Sequence, residues 1–298
     1  MNIVFMGTPD FAVSSLQALI DAGYNVKAVF TQSDKPQGRK QTITPPPVKV
    51  LAQEYGIPVY QPRTLRDGSS DDLLRSLEPD FIVVAAYGKL LPKSVLDIPK
   101  KACINVHGSL LPKYRGAAPI QWSVINGDET TGVTTMLMSE GMDEGDILLR
   151  LETPIGPDET AGGLFDRLAD LGASLLLETL ERFETITPVK QDPEKATVAP
   201  ILRKEMAKIN FIRPAKELNA LVRGMNPWPI AWFMYDGKRM KVFETEILDQ
   251  DGIPGTFFEA NGCLSVYCAS GALCLLEIQP ENGKRMSGED YLRGHPLK

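Results

Sequence analysis

The sequence predicts an α/β fold: a Rossmann-like, mainly parallel, doubly wound sheet followed by a smaller β-rich domain. Two observations predict the first part. Short β-rich runs alternate with helical patterns, and the run DFIVVAAYG is apolar throughout, as in a strand buried on both faces of a parallel sheet. A third observation predicts the second part, because short β-rich runs separated by Asp-Gly, Asn-Gly and Ser-Gly turns follow residue 203.

The first element is a strand, NIVFMG, and it leads into the helical pattern PDFAVSSLQALIDAG. The strand NVKAVFT follows, which completes a βαβ unit. The intervening GTPDFA contains one glycine, Gly7, whereas a dinucleotide-binding fingerprint needs three. We therefore expect a plain turn there, with Thr8 or Asp10 capping the helix and Pro9 near its first position.

The same alternation continues through the first half of the chain. It predicts helices in VKVLAQEYG and SDDLLRSLE, and strands in IPVYQ, DFIVVAAYG, KACINVH and TTGVTTMLM. A long amphipathic helix is predicted in TAGGLFDRLADLGASLLLETLERFE, with Leu164, Leu168, Leu171 and Leu175 on the face that packs on the sheet. We expect a first domain over residues 1–187, a polar linker with three prolines over 188–202, and a small β-barrel or sandwich over 203–298.

Composition narrows the class of protein. Hydrophobic residues make up 43% and charged residues 23%, and no apolar run approaches the roughly 18 residues of a membrane span, so we expect a globular protein of the cytoplasm. The net charge of −6 argues against a general DNA or RNA binder. Positive charge is nevertheless concentrated in two segments, with a balance of +3 over residues 31–50 and +4 over residues 190–223.

The four cysteines offer no metal-ligand spacing, since they form no CxxC pair and have no histidine nearby. We expect Cys103, Cys263, Cys268 and Cys274 to be small buried thiols and the protein to need no metal.

The segment INVHGSLLPKYRGAAPIQ contains one of only two histidines in the chain. Asn105 and His107 end a predicted strand two residues apart, so their side chains point to the same side of the sheet. Gly108 permits a tight turn after them and Pro112 fixes the exit. An amide beside an imidazole suits the stabilisation of negative charge on a carbonyl oxygen, although a single histidine is as often purely structural.

A carboxylate in a glycine-bounded loop is the other candidate. Asp143 lies between Gly141 and Gly145 in SEGMDEGDILL. Such a residue is usually a turn residue or a helix cap, but with Asn105 and His107 it can also complete a site for proton transfer.

These motifs resemble the folate-dependent formyltransferase family. The resemblance rests on NVHGSLLPKYRGAAPIQW, followed by GVTTMLMSEGMDEGDIL, and it extends over nearly the whole chain through FMGTPDFA, TQSDKPQGR and RMSGEDYLRG. It is greatest to members that formylate the methionine carried by initiator tRNA. The resemblance implies transfer of a formyl group from 10-formyltetrahydrofolate to the free amino group of initiator methionyl-tRNA.

The resemblance also implies roles for individual residues. Asn105 and His107 would stabilise the developing oxyanion, and Asp143 would orient His107 and help take up the proton released by the amine. The loops AAYGKLLP and SLLP would bind the folate, through Tyr87, Gly88, Leu90, Ser109, Leu110, Leu111 and Pro112. For the leucines, the alternative is plain core packing.

The basic segments would contact tRNA. The polar loop TQSDKPQGRKQTITPPPVK is too long for a minimal connection, and its Lys35, Arg39 and Lys40 would reach the acceptor stem, with Arg39 contributing most. Arg203 and Lys204 would contact backbone phosphates, next to a C-terminal domain that in this family resembles an OB barrel. We expect a monomer that binds neither DNA nor a membrane.

Two other functions fit part of the pattern. Formyltransferases acting on glycinamide ribonucleotide or an amino sugar nucleotide share the Asn-x-His and SLLP core, but a glycinamide enzyme should end near the long helix after Glu184. A folate- or RNA-binding protein without catalysis would not need Asn105, His107 and Asp143 together.

Overall fold

The computed structural model describes residues 1–38 and 41–297, and the chain forms two compact units. Unit 1 comprises Met1–Pro119, Thr131–Thr153 and Phe165–Ala199. Unit 2 comprises Ile120–Thr130, Pro154–Leu164 and Pro200–Lys298.

The helices and strands alternate through the first half of the chain and become mostly strands in the second. In chain order, the elements before residue 200 are β1 (Asn2–Gly7), α1 (Asp10–Asp21), β2 (Asn25–Phe30), β3 (Lys35–Gln37), β4 (Thr42–Thr44), α2 (Pro47–Glu54), β5 (Val59–Tyr60), α3 (Asp71–Ser76), β6 (Phe81–Ala85), α4 (Lys93–Leu96), β7 (Ala102–His107), β8 (Arg115–Gly116), α5 (Pro119–Ile125), β9 (Thr130–Leu137), β10 (Ile147–Pro154), α6 (Ala161–Arg182) and β11 (Val198–Ala199). The remaining elements are α7 (Ala215–Gly224), β12 (Ala231–Tyr235), β13 (Lys238–Leu248), β14 (Phe257–Ala260), β15 (Cys263–Tyr267), β16 (Ala272–Pro280), β17 (Met286–Ser287) and α8 (Gly288–Gly294).

The main sheet of unit 1 has the strand order β10-β9-β7-β6-β1-β2-β5. The pairs β7–β6, β6–β1, β1–β2 and β2–β5 are parallel, and β9 runs antiparallel to β7. Every residue of β6 is buried, as the continuous apolar run predicted. The predicted Rossmann-like, mainly parallel sheet is confirmed.

Helix α6 covers strand β7, which ends in the candidate residues. Gly172 lies so close to the strand that a Cβ atom there would be 2.9 Å from Val106 Cγ1. Leu168 and Leu175 are buried on the same helix, while Leu171 is only half-buried. The predicted amphipathic helix is therefore present, and Gly172 allows it to approach the sheet closely.

The start of α1 differs from the sequence prediction. Pro9 is the N-cap and no side chain caps the helix, because Asp10 is already its first residue. The Thr8 hydroxyl instead donates to the Tyr87 carbonyl (3.2 Å) and accepts from the Gln32 N–H (3.4 Å). Thr8 thus connects the segments that follow β1, β2 and β6.

The polar loop between β2 and α2 contains a hairpin that the sequence pattern did not reveal. Strands β3 and β4 pair antiparallel, with Lys35 opposite Thr44. The polar composition of these strands conceals the alternation by which a half-buried strand is normally predicted.

The cysteines differ in burial. Cys103, Cys268 and Cys274 are buried, whereas Cys263 is half-buried, which corrects the prediction for that residue. Burial raises the pKa of Cys103 to about 12 and that of Cys268 to about 11, so both thiols stay protonated at neutral pH. Over residues 1–38 and 41–297, no group of three or more His, Cys, Asp or Glu side chains is placed to hold a metal ion. The helices in this part of the chain are too short or too polar to cross a membrane.

Unit 2 contains an antiparallel sheet of order β12-β13-β16-β15-β14, with β17 paired to β16. Helix α7 contacts this sheet where the Asn219 side-chain amide donates to the Thr245 carbonyl and hydroxyl, both at 3.0 Å. Aromatic rings pack edge to face nearby, among them Phe211 against Phe233 and Tyr235 against Phe257. The predicted smaller β-rich domain is confirmed as an antiparallel sheet.

Tyr87 presents a polar group in the core of unit 1. Its side chain is 1% exposed, and its hydroxyl has no hydrogen-bond partner among the described residues. Burial raises the pKa of this phenol to about 12. An unpartnered buried hydroxyl destabilises the folded state.

We predict that Tyr87→Phe raises the free energy of unfolding by about 1 kcal/mol at pH 7, because the lost hydroxyl makes no hydrogen bond among the described residues. The gain should grow as pH rises from about 10 towards 12, since the unfolded wild-type chain ionises there before the folded one does. Urea unfolding at about pH 7 and about pH 10.5 measures both effects, with Tyr55→Phe at an exposed position as the control. A loss of stability at neutral pH would show that the hydroxyl has a partner.

Candidate active site

Asn105 and His107 lie at the carboxyl end of β7, where the parallel strands of the sheet end. Both residues are almost buried, with 8% and 6% of their surface exposed. Within the described part of the chain, the Asn105 side chain forms no hydrogen bond. Its amide is therefore available to donate to a carbonyl oxygen that enters the site.

The His107 ring is oriented by a main-chain carbonyl. Its Nε2 is 2.9 Å from the Tyr114 oxygen, and a carbonyl can only accept, so Nε2 carries a proton and donates. Tyr114 itself has a left-handed φ of 61°, and its N–H donates to Thr197 Oγ1 at 2.8 Å. The other ring nitrogen, Nδ1, faces the side chain of Asp143.

Asp143 lies in the loop between β9 and β10 and also has a left-handed φ, 53°. Its Oδ2 accepts from the Gly116 N–H at 2.8 Å and lies 3.7 Å from His107 Nδ1. The carboxylate is 18% exposed. It is therefore anchored by a main-chain donor and lies next to the imidazole, at a distance slightly longer than a hydrogen bond.

Gly116 is required by the close approach of another segment. A Cβ atom at this position would lie 2.8 Å from the Ala199 carbonyl oxygen, and φ is 118°. Its strand, β8, pairs in parallel with β11. Position 116 therefore requires glycine, because a side chain there would prevent the main chain from contacting β11 while its N–H donates to Asp143.

Sequence reasoning missed the contribution of residues 189–199 to the site, because it assigned them to a linker and to a basic segment that contacts tRNA. Val189 pairs with Ile147 through two hydrogen bonds of 2.8 Å, and the Thr197 carbonyl accepts from the Arg115 N–H at 2.8 Å. Gln191 contacts the Asp143 loop through its side chain. The polar, proline-containing sequence carries no periodic signal from which these contacts could be predicted.

The residues expected to bind folate occupy two neighbouring loops with different exposure. Leu90 is 43% exposed and Leu110 is half-buried, so both present apolar surface. Leu111 is buried against Met136 and Ile147, and the Ser109 hydroxyl donates to the Lys113 carbonyl. The remaining members are Tyr87, whose ring is in the core, Gly88, with φ of 76°, and Pro112, which follows a cis peptide bond.

The residues expected to contact tRNA lie in both units. Lys35 is exposed in unit 1 and donates to Gln32 Oε1 at 2.7 Å. Arg203 and Lys204 are exposed in unit 2. Arg39 and Lys40 lie outside the described residues.

Two family models match the chain. The model described as formyl transferase matches residues 1–180, and the model described as formyl transferase, C-terminal domain, matches residues 201–296. The chain belongs to the formyl transferase family. In this family context, the grouping of Asn105, His107 and Asp143 at the sheet edge is a candidate active site for formyl transfer.

Curated relatives of this formyl transferase are similar over its full length. The methionyl-tRNA formyltransferase of Desulfotalea psychrophila is 53% identical, over 99% of this chain and 93% of the relative. The enzyme of the same name from Citrifermentans bemidjiense is 48% identical, over 100% of this chain and 95% of the relative.

Solved structures share the fold at low identity. WlaRD, a sugar 3N-formyl transferase crystallised with dTDP and 5-N-formyl-THF, is 18% identical with a TM-score of 0.70, over 95% of this formyl transferase and 99% of WlaRD. HypX from Aquifex aeolicus in complex with tetrahydrofolic acid is 16% identical with a TM-score of 0.62, over 97% of this chain and 46% of HypX.

We predict that Thr197→Val lowers the rate of formyl transfer at least fivefold and the free energy of unfolding by about 1 to 2 kcal/mol. The substitution keeps the shape of the side chain but leaves the Tyr114 N–H without its acceptor, so the carbonyl that orients His107 is less firmly held. Turnover and thermal unfolding measure the two effects. Thr185→Val, at an exposed helix end, is the matched control; equal behaviour of the two variants would contradict the proposed support of His107.

Proposed function

We propose that this formyl transferase transfers a formyl group from 10-formyltetrahydrofolate to the free amino group of initiator methionyl-tRNA. The observation that carries the acceptor assignment is the full-length similarity, at 46% to 53% identity, to relatives named methionyl-tRNA formyltransferase. The formyl donor is a folate derivative, and we propose 10-formyltetrahydrofolate as its specific form.

The loops beside β6 and β7 have the chemistry that a flat folate ring needs. Leu90 and the half-buried Leu110 present apolar surface, and neighbouring peptide groups can form hydrogen bonds along the ring edge. Tyr87 contributes through its position in the core, since its protonated and buried hydroxyl cannot reach a ligand. When bound, the folate supplies the formyl group, and the site must place its carbonyl beside Asn105 and His107.

The chemistry then requires stabilisation of negative charge on the formyl oxygen. As the neutral amine attacks the formyl carbon, the Asn105 amide can donate to the formyl oxygen. The amide is available because the Asn105 side chain forms no hydrogen bond with any of the described residues. His107 can donate only through Nδ1, since Nε2 already donates to Tyr114. The second donor to the oxyanion that we propose is therefore His107 Nδ1.

Asp143 acts as the general base that accepts the proton of the amine. Its carboxylate is held by the Gly116 N–H and lies 3.7 Å from His107 Nδ1. The amine loses one proton as the new C–N bond forms, and Asp143 accepts it directly or through a water. The bond between the formyl carbon and the folate nitrogen then breaks, and that nitrogen takes up a proton as tetrahydrofolate leaves. No covalent enzyme intermediate is needed.

The domains divide the work between chemistry and tRNA binding. We assign catalysis to residues 1–187 and tRNA contact to residues 203–298, with residues 188–202 connecting them. The matches of the two family models to residues 1–180 and 201–296 support this division.

An exposed basic and aromatic surface supports tRNA contact by Arg203 and Lys204. The Lys204 carbonyl accepts from Trp232 Nε1 at 3.2 Å, and Lys208 Nζ and Arg239 Cζ lie 5.8 Å and 4.3 Å from the centre of the Trp232 ring. These cations and the ring suit a nucleic acid, in which phosphates attract the charges. The hairpin β3–β4 adds Lys35 in unit 1, and we keep Arg39 and Lys40 as proposed contacts of the same loop.

The decisive experiment incubates the protein with charged initiator methionyl-tRNA and 10-formyltetrahydrofolate, releases the amino acid by mild base, and weighs it. N-formylmethionine that forms only in the presence of the folate supports the proposal. Unmodified methionine would contradict it, and amino sugar nucleotides would then be the acceptors to test with the same donor.

We predict that Asp143→Asn and His107→Ala each lower the turnover number at least about 100-fold and change folate binding less than about threefold. The reason is that Asp143 accepts the proton of the amine and His107 stabilises the oxyanion, whereas neither is needed to bind the folate. Single-turnover formation of N-formylmethionine and equilibrium binding of folate measure the two quantities. Near-normal turnover in either variant would remove that residue from the site.

We predict that the double substitution Arg203→Gln and Lys204→Gln raises KM for charged tRNA about tenfold and leaves KM for the folate unchanged. The lost charges release fewer counterions on tRNA binding, so KM for tRNA should also depend less steeply on salt. Lys93→Gln, on an exposed helix beside Asp97, is the control. An equal change in both KM values would argue against a tRNA contact.

A further inference from the structure

We propose that Gln191 is a positioning residue that holds the Asp143 carboxylate in its working place. The inference rests on the proposed function, since it assigns Gln191 a role only through Asp143. Gln191 is half-buried and lies in the segment between α6 and β11.

All hydrogen-bonding capacity of the Gln191 amide is used within the site. Its Nε2 donates to two carbonyl oxygens, of Asp143 and Gly145, both at 2.8 Å. Its Oε1 accepts from Arg115 Nε at 3.1 Å and from Arg115 Nη2 at 2.8 Å. Two donors and two acceptor positions are the full inventory of a side-chain amide.

These four bonds join the turn that contains Asp143 to the segment that contains Arg115 and Gly116. The carboxylate accepts from the Gly116 N–H, and Gly116 directly follows Arg115 in the chain. Gln191 therefore bonds to the turn that carries the acceptor and to the residue next to the donor. A single side chain thus links the two segments that carry the partners of this hydrogen bond.

The turn needs such support because of its backbone conformation. Asp143 has a φ of 53°, in the left-handed region that a residue with a side chain adopts only at a cost. The Gln191 side chain donates to the carbonyls of Asp143 and Gly145, on either side of Glu144, and so bridges this turn. Arg115 also faces Glu144 at 3.5 Å, but the Glu144 side chain is 57% exposed, which makes that ion pair weak support.

Gln191 is itself held on both sides. Two residues before it, Val189 pairs with Ile147 of β10, and six residues after it, Thr197 bonds to Arg115 and Tyr114. The amide thus acts from a firmly placed main chain. A glutamate at this position would accept from Arg115 but repel the two carbonyls, and a methionine of similar length would lose all four bonds.

The test measures kcat and KM for the variants Gln191→Met and Gln191→Glu with charged tRNA and folate. Displacement of a catalytic group by an ångström lowers rates by up to about 100-fold, so we expect kcat to fall at least about tenfold in both variants. Both KM values should stay within about twofold, because all four hydrogen-bonding positions of the Gln191 amide are taken by groups of the chain itself. Gln17→Met is the matched control, since Gln17 Nε2 also donates twice, to Asp21 (2.7 Å) and Tyr55 (3.1 Å), outside the site.

A second measurement separates positioning from a purely structural role. If Gln191 acts through Asp143, then Gln191→Met should lower the rate less than about twofold in a protein that already carries Asp143→Asn. Radiolabelled formyl transfer makes the residual rate measurable, and the folded fraction of each variant is taken from its thermal unfolding curve. Gln191→Glu keeps the acceptor for Arg115, so it tests the lost donors even if Gln191→Met folds poorly.

The outcomes are distinct. Wild-type kcat in both Gln191 variants, or a full tenfold loss that persists with Asp143→Asn, would overturn the inference while wild-type formation of N-formylmethionine still supports the proposed function. Absence of N-formylmethionine with the wild-type protein would overturn both.

Discussion

The candidate site depends on one hydrogen bond, from His107 Nε2 to the Tyr114 carbonyl. This bond decides which ring nitrogen carries the proton of a neutral imidazole, and it leaves Nδ1 as the atom that faces Asp143. The sheet provides the position of the ring, and the loop after it provides its orientation. Neither the strand end nor the loop is sufficient alone, because an imidazole with a free Nε2 could turn its other nitrogen away from the carboxylate.

The larger fold serves to hold these few atoms still. Strand β7 is paired on both sides and is approached closely by α6 at Gly172, so Asn105 and His107 project from a strand with little freedom to shift. The Asp143 turn, in contrast, lies outside the sheet and depends on polar contacts. The site therefore combines a rigid half, fixed by packing, with a half that is fixed by hydrogen bonds.

The sequence predicts the rigid half well and the other half poorly. A buried apolar run and a strand ending in Asn-Val-His predict both the sheet and the shared direction of Asn105 and His107, because these patterns reflect local periodicity. Asp143 could be recognised only by its glycine-bounded loop together with the family resemblance. Thr197 and Gln191 escaped prediction because they bond to residues 83 and 48 positions away, through side-chain contacts that leave no repeating pattern. The predicted side-chain cap of α1 was wrong for a similar reason. The Thr8 hydroxyl bonds to the distant Tyr87 and Gln32 and not to the end of the helix.

The pairing of β11 with β8 has a consequence for how members of such a family can exchange their C-terminal parts. A recombination junction placed at the end of α6 would separate the candidate site from Gln191, Thr197 and Ala199, which bond to its loops. A junction after Ala199 keeps every one of these contacts within a single parental sequence. Chimaeras with different C-terminal domains should therefore be joined beyond β11, so that the segment that pairs with β8 stays with the candidate site.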